Sequence, residues 1–455
     1  MERDQPAGPN DALHPVRRLR GALSGRVGAP VRGRIAPAVP SPVGAPGVEP
    51  RAGRATRLRL AAGVALALAV SAAWSAAALH GEQPAPPTSI PAQVPTDAIG
   101  NLRMFSQTTG WAQRQSDGAV LHTSRGVLRW TVASPPTLQM VIAVSYVDAS
   151  AARALTVPAN AQGPTTVESW ATGDGGATWS AEGSFAVVGF SPTLIGTLDF
   201  VDPLHGWFSQ LQDDPGVTGT ALYRMTDGGV EWSQVAFAGT TGPATAPPRR
   251  PAPAGCVALT AAFVSTTTGW LSGTCSTGPP PLYVSHDGGR TWADQPLAPI
   301  PGRPYGEQSS PPSFTSAEDG TLITEDVGAA PISAGLFTTT DGGRTWSLRY
   351  SSAGTPFGSD FVDADHGWLA VSSPDGAAAA PDLYVTGDGG STWSVLHVLP
   401  DIGWSVYIGL QLDFLTPGMG WASTAVTQSG GPSYLLATED GGHSWSALRP
   451  LISTH

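Results

Sequence analysis

Six aspartates recur along the chain in one setting, and carboxylates are among the side chains that can carry out acid–base catalysis. Two glycines follow each aspartate, and a tryptophan stands five positions after it. Two such carboxylates facing each other across a cleft could hydrolyse a glycosidic bond. That chemistry is available only if the fold brings two of them together. The six residues are Asp174, Asp227, Asp287, Asp341, Asp388 and Asp440.

The common setting is an eight-residue unit, of which TTDGGRTW at 339–346 is typical. A seventh copy, at 123–130, has Arg125 in place of the aspartate. The tryptophans that end the seven copies are 47 to 60 residues apart, a spacing close to that of four-stranded propeller blades. The other copies lie at 172–179, 225–232, 285–292, 386–393 and 438–445.

A second marker precedes each unit and consists of an aromatic residue followed by a Gly-Trp pair. Two copies, at 146–153 and 314–321, keep the aromatic residue and the spacing but lack a complete Gly-Trp pair. Paired markers at a regular spacing predict an all-β fold, a seven-bladed β-propeller of four-stranded antiparallel blades over residues 98–455. The Gly-Trp pairs end at Trp111, Trp207, Trp270, Trp368 and Trp421.

The predicted fold favours a structural role for the six aspartates. Asp-Gly-Gly between two β-rich runs supplies the positive φ angles that a hairpin turn needs, and the carboxylate can accept N–H groups of the turn. Seven-fold geometry also spreads the carboxylates around a rim. We therefore expect structural roles for them, and no catalytic residue is assigned.

Other catalytic and metal-binding patterns are missing from the sequence. The spacings HExxH, CxxC, GxSxG and the P-loop are absent, so we expect no cofactor and no metal. Trp404 lies outside the repeated positions and outside the apolar run at 60–79. It could stack on a sugar, although packing at the start of a strand is the alternative interpretation.

Charge is distributed unevenly along the chain. Residues 1–59 hold 11 Arg against 4 acids, whereas residues 80–455 hold 13 Arg against 31 acids, and there is no Lys. The acidic part would repel phosphate, which argues against a nucleic-acid partner.

The run at 60–79 has no charged residue and is long enough to cross a bilayer as a helix. Arginines precede it, so we expect a signal anchor with residues 1–59 as a disordered cytoplasmic arm and the propeller outside. Residues 80–97 are a Pro-rich spacer. A signal peptide cleaved near Ala78 is the alternative, and it would make the protein secreted.

The repeated unit resembles the Asp-box, or BNR, repeat, and the FVDADHGW element ending at Trp368 is similar to that of photosystem II assembly and stability factor propellers. The resemblance spans about residues 101–450. It implies a propeller with its Asp-boxes opposite the usual binding face. Because Asp-boxes also occur in sialidases and other glycosidases, the resemblance does not fix the function.

We therefore predict a membrane-tethered, monomeric binding or assembly scaffold whose partner is a protein or glycan of the cell envelope. A secreted glycan-binding or sialidase-like glycan-cleaving protein is the alternative. Specificity is expected in the loops of variable length, although these loops could also be spacers without a partner. The candidate residues in them are Asp213, Asp214, Arg249, Arg250, Arg303, Tyr305, Glu307, Glu325, Asp326 and Trp404.

The chain has two cysteines, Cys256 and Cys275, both in the fourth unit. In the register where Phe263 faces Trp270, the two cysteines lie close across a hairpin. An exported location would permit a disulfide between them, and two free thiols are the alternative.

Overall fold

The chain folds as the predicted seven-bladed β-propeller, and the blades are four-stranded antiparallel sheets. This description comes from a computed structural model. It covers residues 99–190, 196–214, 217–241, 249–250, 256–275, 282–300, 308–326, 333–372, 380–399, 408–426 and 434–454.

In each blade the chain runs through the sheet from the inner strand to the outer strand. Blade 1 is β1 (Ile99–Met104), β2 (Gly110–Arg114), β3 (Val120–Thr123) and β4 (Arg129–Val132). Blade 2 is β5 (Met140–Tyr146), β6 (Ala152–Val157), β7 (Gly163–Thr172) and β8 (Ser180–Phe190). Blade 3 is β9 (Thr197–Asp202), β10 (His205–Asp214), β11 (Val217–Met225) and β12 (Trp232–Thr241), with β13 (Arg249–Arg250) added in parallel to β12.

The remaining blades follow the same plan. Blade 4 is β14 (Cys256–Phe263), β15 (Gly269–Cys275), β16 (Leu282–Ser285) and β17 (Ala293–Asp294). Blade 5 has a divided inner strand, β18 (Gln308–Ser309) and β19 (Ser313–Phe314), then β20 (Gly320–Asp326), β21 (Ser333–Thr339) and β22 (Ser347–Ala353). Blade 6 is β23 (Pro356–Phe361), β24 (Gly367–Val371), β25 (Asp382–Thr386) and β26 (Ser394–Leu396). Blade 7 is β27 (Ile408–Phe414), β28 (Gly420–Val426), β29 (Leu435–Thr438) and β30 (Ser446–Leu448).

A thirty-first strand, β31 (Leu451–Ser453), returns to blade 1. It pairs in parallel with β4, with Leu451 opposite Arg129, and becomes the fifth and outermost strand of that blade. Blade 1 therefore combines strands from both ends of the propeller sequence.

The Gly-Trp marker has a packing explanation. The ring of Phe361 covers Gly367 so closely that a Cβ atom there would overlap it, and Phe414 covers Gly420 in the same way. In blade 1 the side chain over Gly110 is Met104, although the aromatic residue of that marker is the next residue, Phe105. In blades 6 and 7 the glycine therefore leaves the space that the inner-strand phenylalanine occupies, and in blade 1 methionine occupies it.

Within the residues that the structure describes, no helix has both the length and the apolar character needed to cross a membrane. The predicted arm at 1–59, the apolar run at 60–79 and the spacer at 80–97 all lie outside those residues. The register between β14 and β15 differs from the prediction. Phe263 pairs with Gly269, and a bulge further along the strand brings the Cα atoms of Cys256 and Cys275 directly opposite each other.

Candidate functional site

The Asp-Gly-Gly segments form tight turns between the third and fourth strands, which we call DGG turns. In blade 5, Asp341 accepts hydrogen bonds from the Thr339 hydroxyl (2.8 Å), the Thr345 N–H (2.9 Å) and the Thr345 hydroxyl (2.7 Å). Gly342 and Gly343 adopt φ angles of 70° and 77°, which disfavour a residue with a Cβ atom. The carboxylate is therefore a fixed part of the turn.

Hydrogen bonding keeps these carboxylates ionised. Bonds from Thr178 lower the pKa of Asp174 to about 2, and bonds from Thr345 lower that of Asp341 to about 2. Asp440 has a pKa of about 2 for the same reason, with Ser444 as the donor. A carboxyl group with this pKa is a poor general acid or base near neutral pH, so the turns are built for structure.

Blade 3 carries a weaker version of the turn. Met225 and Glu231 replace the two hydroxyl residues, so Asp227 accepts hydrogen bonds from the backbone N–H groups of Val230 and Glu231. The glycine pair Gly228 and Gly229 keeps positive φ angles of 84° and 114°. The backbone of the turn therefore persists without the hydroxyl groups.

Each DGG turn, or its counterpart in blade 1, is tied to the turn that joins the first two strands of its blade. The first glycine of the DGG turn donates its N–H to a carbonyl of that neighbouring turn, as Gly389 does to Asp365 (2.9 Å). We call the side that carries both turns the turn face and the opposite side the loop face. The other six bonds run from Gly126 to Thr108, Gly175 to Ser150, Gly228 to Leu204, Gly288 to Thr267, Gly342 to Glu318 and Gly441 to Gly418.

The tryptophan of the Gly-Trp pair joins one blade to the next. Trp368 of blade 6 stacks on Phe414 of blade 7 with ring centroids 3.5 Å apart, and its indole N–H donates to the carbonyl of Gly441 (2.9 Å). Trp207 of blade 3 stacks on Phe263 and bonds to Gly288 in the same way. At these two junctions the indole therefore fills the space between the blades and also holds the next DGG turn.

Five of the seven junctions use tryptophan at this position, and two do not. Arg153 takes its place between blades 2 and 3. Its guanidinium lies 5.6 Å from the centroid of the Phe200 ring and donates to the carbonyl of Pro203 (2.8 Å). Thr321 takes its place between blades 5 and 6, because Thr321 pairs with Ser313 as Trp368 pairs with Asp360.

Buried carboxylates on the inner strands are functional groups that the sequence interpretation missed. Asp199 accepts the N–H of Phe263 in the next blade (2.6 Å), and Asp360 accepts that of Phe414. Asp413 accepts the N–H of Met104 (2.7 Å) and so links blade 7 to blade 1. The only sequence signal was an aspartate immediately before the inner-strand phenylalanine.

Burial raises the pKa of these three groups. The pKa of Asp360 rises to about 7, mainly through desolvation, with the neighbouring charge of Asp413 acting in the same direction. Burial raises the pKa of Asp199 to about 6, and it raises that of Asp413 to about 6 although Arg103 lies 3.3 Å away. Because each carboxylate holds a backbone N–H of the adjacent blade, its role is to join inner strands.

Six of the ten predicted binding residues lie in strands rather than in loops, and four of them belong to blade 3. Asp213 and Asp214 were expected in a loop, but β10 continues through both, pairing them with Thr218 and Val217. Arg249 and Arg250 form β13 beside β12. The prediction was wrong here because backbone pairing extends the edge of blade 3 beyond its repeated core.

Glu325 was also predicted to be a solvated loop residue, and it is buried. It lies near the loop-face end of β20, opposite Ala334 and Gln308, and its exposed fraction is 9%. Burial raises its pKa to about 7. Asp326, the last residue of β20, pairs with Ser333 and was likewise expected in a loop. The remaining candidates, Arg303, Tyr305, Glu307 and Trp404, lie outside the described residues.

Metal binding finds no support in the part of the chain that the structure describes, where no group of three or more His, Cys, Asp or Glu could hold an ion. The prediction of no metal rests on the sequence patterns alone.

Comparison with solved structures supports the fold. No family model matches the chain, and no curated protein matches it. Its fold is similar to that of the GH74 xyloglucanase from Xanthomonas campestris, with 16% identity and a TM-score of 0.50 over 80% of this chain and 55% of that chain. The chain therefore spans about half the length of that enzyme.

Two further similar structures are YCF48 proteins. That from Cyanidioschyzon merolae is 16% identical, with a TM-score of 0.42 over 69% of this chain and 86% of that one. YCF48 bound to D1 peptide is also 16% identical, with a TM-score of 0.40 over 69% of this chain and 83% of that one. At such low identities the comparisons are informative about the fold alone.

Proposed function

We propose that the propeller is a binding scaffold that captures a protein or glycan of the cell envelope on its loop face. The observation that carries this proposal is the difference between the two faces. On the turn face, glycine N–H groups and aspartates are already engaged within the blade, as the bonds of Gly389 and Asp341 show. The loop-face connections do not carry the repeated motif.

Connections on the loop face vary widely in length. The link between the second and third strands spans only 215–216 in blade 3 but 372–381 in blade 6. By contrast, the turns between the first two strands have the same length in most blades, for example 264–268 and 415–419. Variable connections on a rigid frame are where binding specificity is usually built.

We further propose that the six DGG turns with aspartate are Asp-boxes and that the propeller is exported, with residues 60–79 as its membrane anchor. The arginines immediately before that segment support this orientation, because positively charged flanks are retained on the cytoplasmic side. Fractionation with mapping of the N-terminus tests it. Recovery of native protein in the soluble fraction, beginning near Leu79, would show cleavage and reject the anchor.

A disulfide between Cys256 and Cys275 would fit an exported protein. Their Cα atoms are direct partners in the β14–β15 ladder, and directly opposed Cα atoms in antiparallel strands lie about 4.5 to 5.5 Å apart, within disulfide range. Mass spectrometry after alkylation under denaturing conditions without reductant tests the bond. Two alkylated cysteines would refute it.

The binding proposal is tested by capturing partners from the native envelope with paired variants. Replacing Arg249 and Arg250 with Ala should weaken capture and leave the fold intact, and so should replacing Tyr305 and Trp404. The matched control replaces Arg290 and Arg344, whose side chains are exposed on the turn face and donate to backbone carbonyls of their own turns. Loss of capture in the control alone would reverse the assignment of the faces.

A further inference from the structure

The junction between blades 5 and 6 contains a cavity at the position where five other junctions contain an indole. Its volume is about 160 Å³, and its walls include Thr321, Phe361 and Gly389. Phe361 is equivalent to Phe414, the ring on which Trp368 stacks. Gly389 is equivalent to Gly441, whose carbonyl accepts the indole N–H. The cavity thus retains the groups that contact tryptophan elsewhere.

The size of the cavity suits an aromatic ring. A cavity of about 150 Å³ in a protein core accommodates benzene. Phe361 remains partly exposed, whereas Phe263 and Phe414, each covered by a closely stacked tryptophan, are both 5% exposed. Phe314 is also partly exposed, and its tryptophan, Trp270, lies farther away at 4.9 Å. The face of Phe361 is therefore available for stacking.

The rim of the cavity is acidic. Asp319, Asp363, Asp365 and Asp388 contribute four carboxylates, and Arg349 contributes one guanidinium. Hydrogen bonds from Thr392 lower the pKa of Asp388, so this group is ionised near neutral pH. A ligand with a positive charge beside its aromatic ring would complement this rim.

We infer that the cavity binds the tryptophan side chain of a partner polypeptide in which lysine or arginine flanks the tryptophan. Polypeptide is the favoured source because the chain itself places a tryptophan side chain at five equivalent junctions. The site lies on the turn face, so it is separate from the loop-face binding proposed above. In the complex the indole stacks on Phe361 and its N–H donates to the carbonyl of Gly389.

Binding can be measured on the full chain by saturation-transfer NMR titration with the peptide Ac-Lys-Trp-Lys-NH2. The peptide should bind, and Ac-Glu-Trp-Glu-NH2 should bind more weakly. Thr321→Trp should abolish binding by filling the cavity and should raise the melting temperature by about 2 to 4 °C. Thr321→Val, which keeps the cavity, is the matched control and should bind within about twofold of the wild type. Phe361→Leu should weaken binding roughly threefold to tenfold, the range for losing one aromatic pair.

Several outcomes would overturn the inference. Undiminished binding in Thr321→Trp would show that the peptide binds elsewhere. If that variant does not fold, undiminished binding in Phe361→Leu would show the same. Equal affinity for the acidic peptide would refute the role of the rim. Binding of tryptamine as tight as that of the lysine peptide would replace the polypeptide with a free aromatic amine. Binding should persist when Arg249 and Arg250 are replaced, which separates this site from the loop face.

Discussion

The junctions on the two sides of blade 6 have equivalent strand pairing but differ in the side chain that fills the space between the blades. Between blades 6 and 7, Trp368 stacks on Phe414 while Asp360 holds the next inner strand. Between blades 5 and 6, the equivalent positions carry Thr321 and Ser313. The comparison shows that the ring of blades contains one poorly filled junction beside well-filled ones, and that this junction contains the cavity described above.

The largest expected effect comes from making the filled junction resemble the open one. Trp368→Thr removes a side chain that is 1% exposed, together with its stacking and its hydrogen bond, so we expect a loss of about 3 to 5 kcal/mol in the free energy of unfolding. Urea denaturation measures it. Thr321→Ser, at the open junction, should change stability by less than about 1 kcal/mol. Equal losses in the two variants would contradict the comparison.

The dependence of stability on pH should distinguish junctions that contain a buried aspartate from the open junction, where Ser313 stands in its place. The folded state raises the pKa of Asp360 to about 7 and that of Asp413 to about 6, so folded protein holds protons that the unfolded chain releases near pH 4. The stabilisation that these two groups contribute is therefore fully present below about pH 4 and is lost as the pH rises towards 7. Each group can lower the free energy of unfolding by up to about 1.4 kcal/mol per pH unit.

Asp360→Asn keeps an oxygen that accepts the Phe414 N–H but cannot ionise. It should reduce the fall in stability between about pH 4 and 7 by the contribution of this one group, and the variant should be the more stable protein at pH 8. Denaturation midpoints across this range provide the measurement. Ser313→Asn at the open junction should leave the profile unchanged, and an unaltered profile in Asp360→Asn would show that its carboxyl group is not the source.

The junction between blades 2 and 3 is an intermediate case. Arg153→Met keeps the aliphatic part of the side chain but removes the cation–π contact with Phe200 and the bond to Pro203, so we expect a loss of about 1 to 2 kcal/mol. Chemical denaturation of both proteins gives the difference. Arg153→Lys should retain part of the contact and fall between the two. Wild-type stability in Arg153→Met would show that this junction depends on packing alone.

The smallest effect concerns the DGG turn of blade 3. Glu231→Thr introduces the hydroxyl that donates to the aspartate in the complete turns, as Thr345 does to Asp341, and should stabilise the protein by about 0.5 to 1 kcal/mol. Glu231→Val, of similar size but without the hydroxyl, is the control. Equal stability of the Thr and Val variants would exclude a contribution from the new bond.

The repeated features could be predicted from the sequence, and the isolated ones could not. Gly-Trp and Asp-Gly-Gly recur often enough to reveal the blades and the turns that join their strands. Asp360 and Asp413 were missed because a single aspartate in a strand has no distinctive pattern until the next blade is placed beside it. Glu325 was misplaced because charge suggested a loop, whereas its backbone pairs with two other strands.

The loop-face prediction was limited in another way. Strands such as β10 continue beyond the repeated segment because their backbone pairs with a neighbouring strand. Pairing of this kind cannot be read from the sequence of one strand alone. Asp214 therefore belongs to a strand although its local sequence resembles a turn. The bulge that places Cys256 opposite Cys275 is likewise a property of the pairing and not of either strand alone.

The pairing of β31 with β4 has a consequence for biosynthesis. Blade 1 is the first to emerge from the ribosome, yet its outer edge stays unpaired until residues 451–453 have been made. At about 5 to 20 residues per second, more than 300 residues separate these events, a delay on the order of 15 to 60 seconds. During that interval the outer edge of β4 has no partner strand from its own chain, and an unpaired edge is a place where a strand of another nascent chain can add.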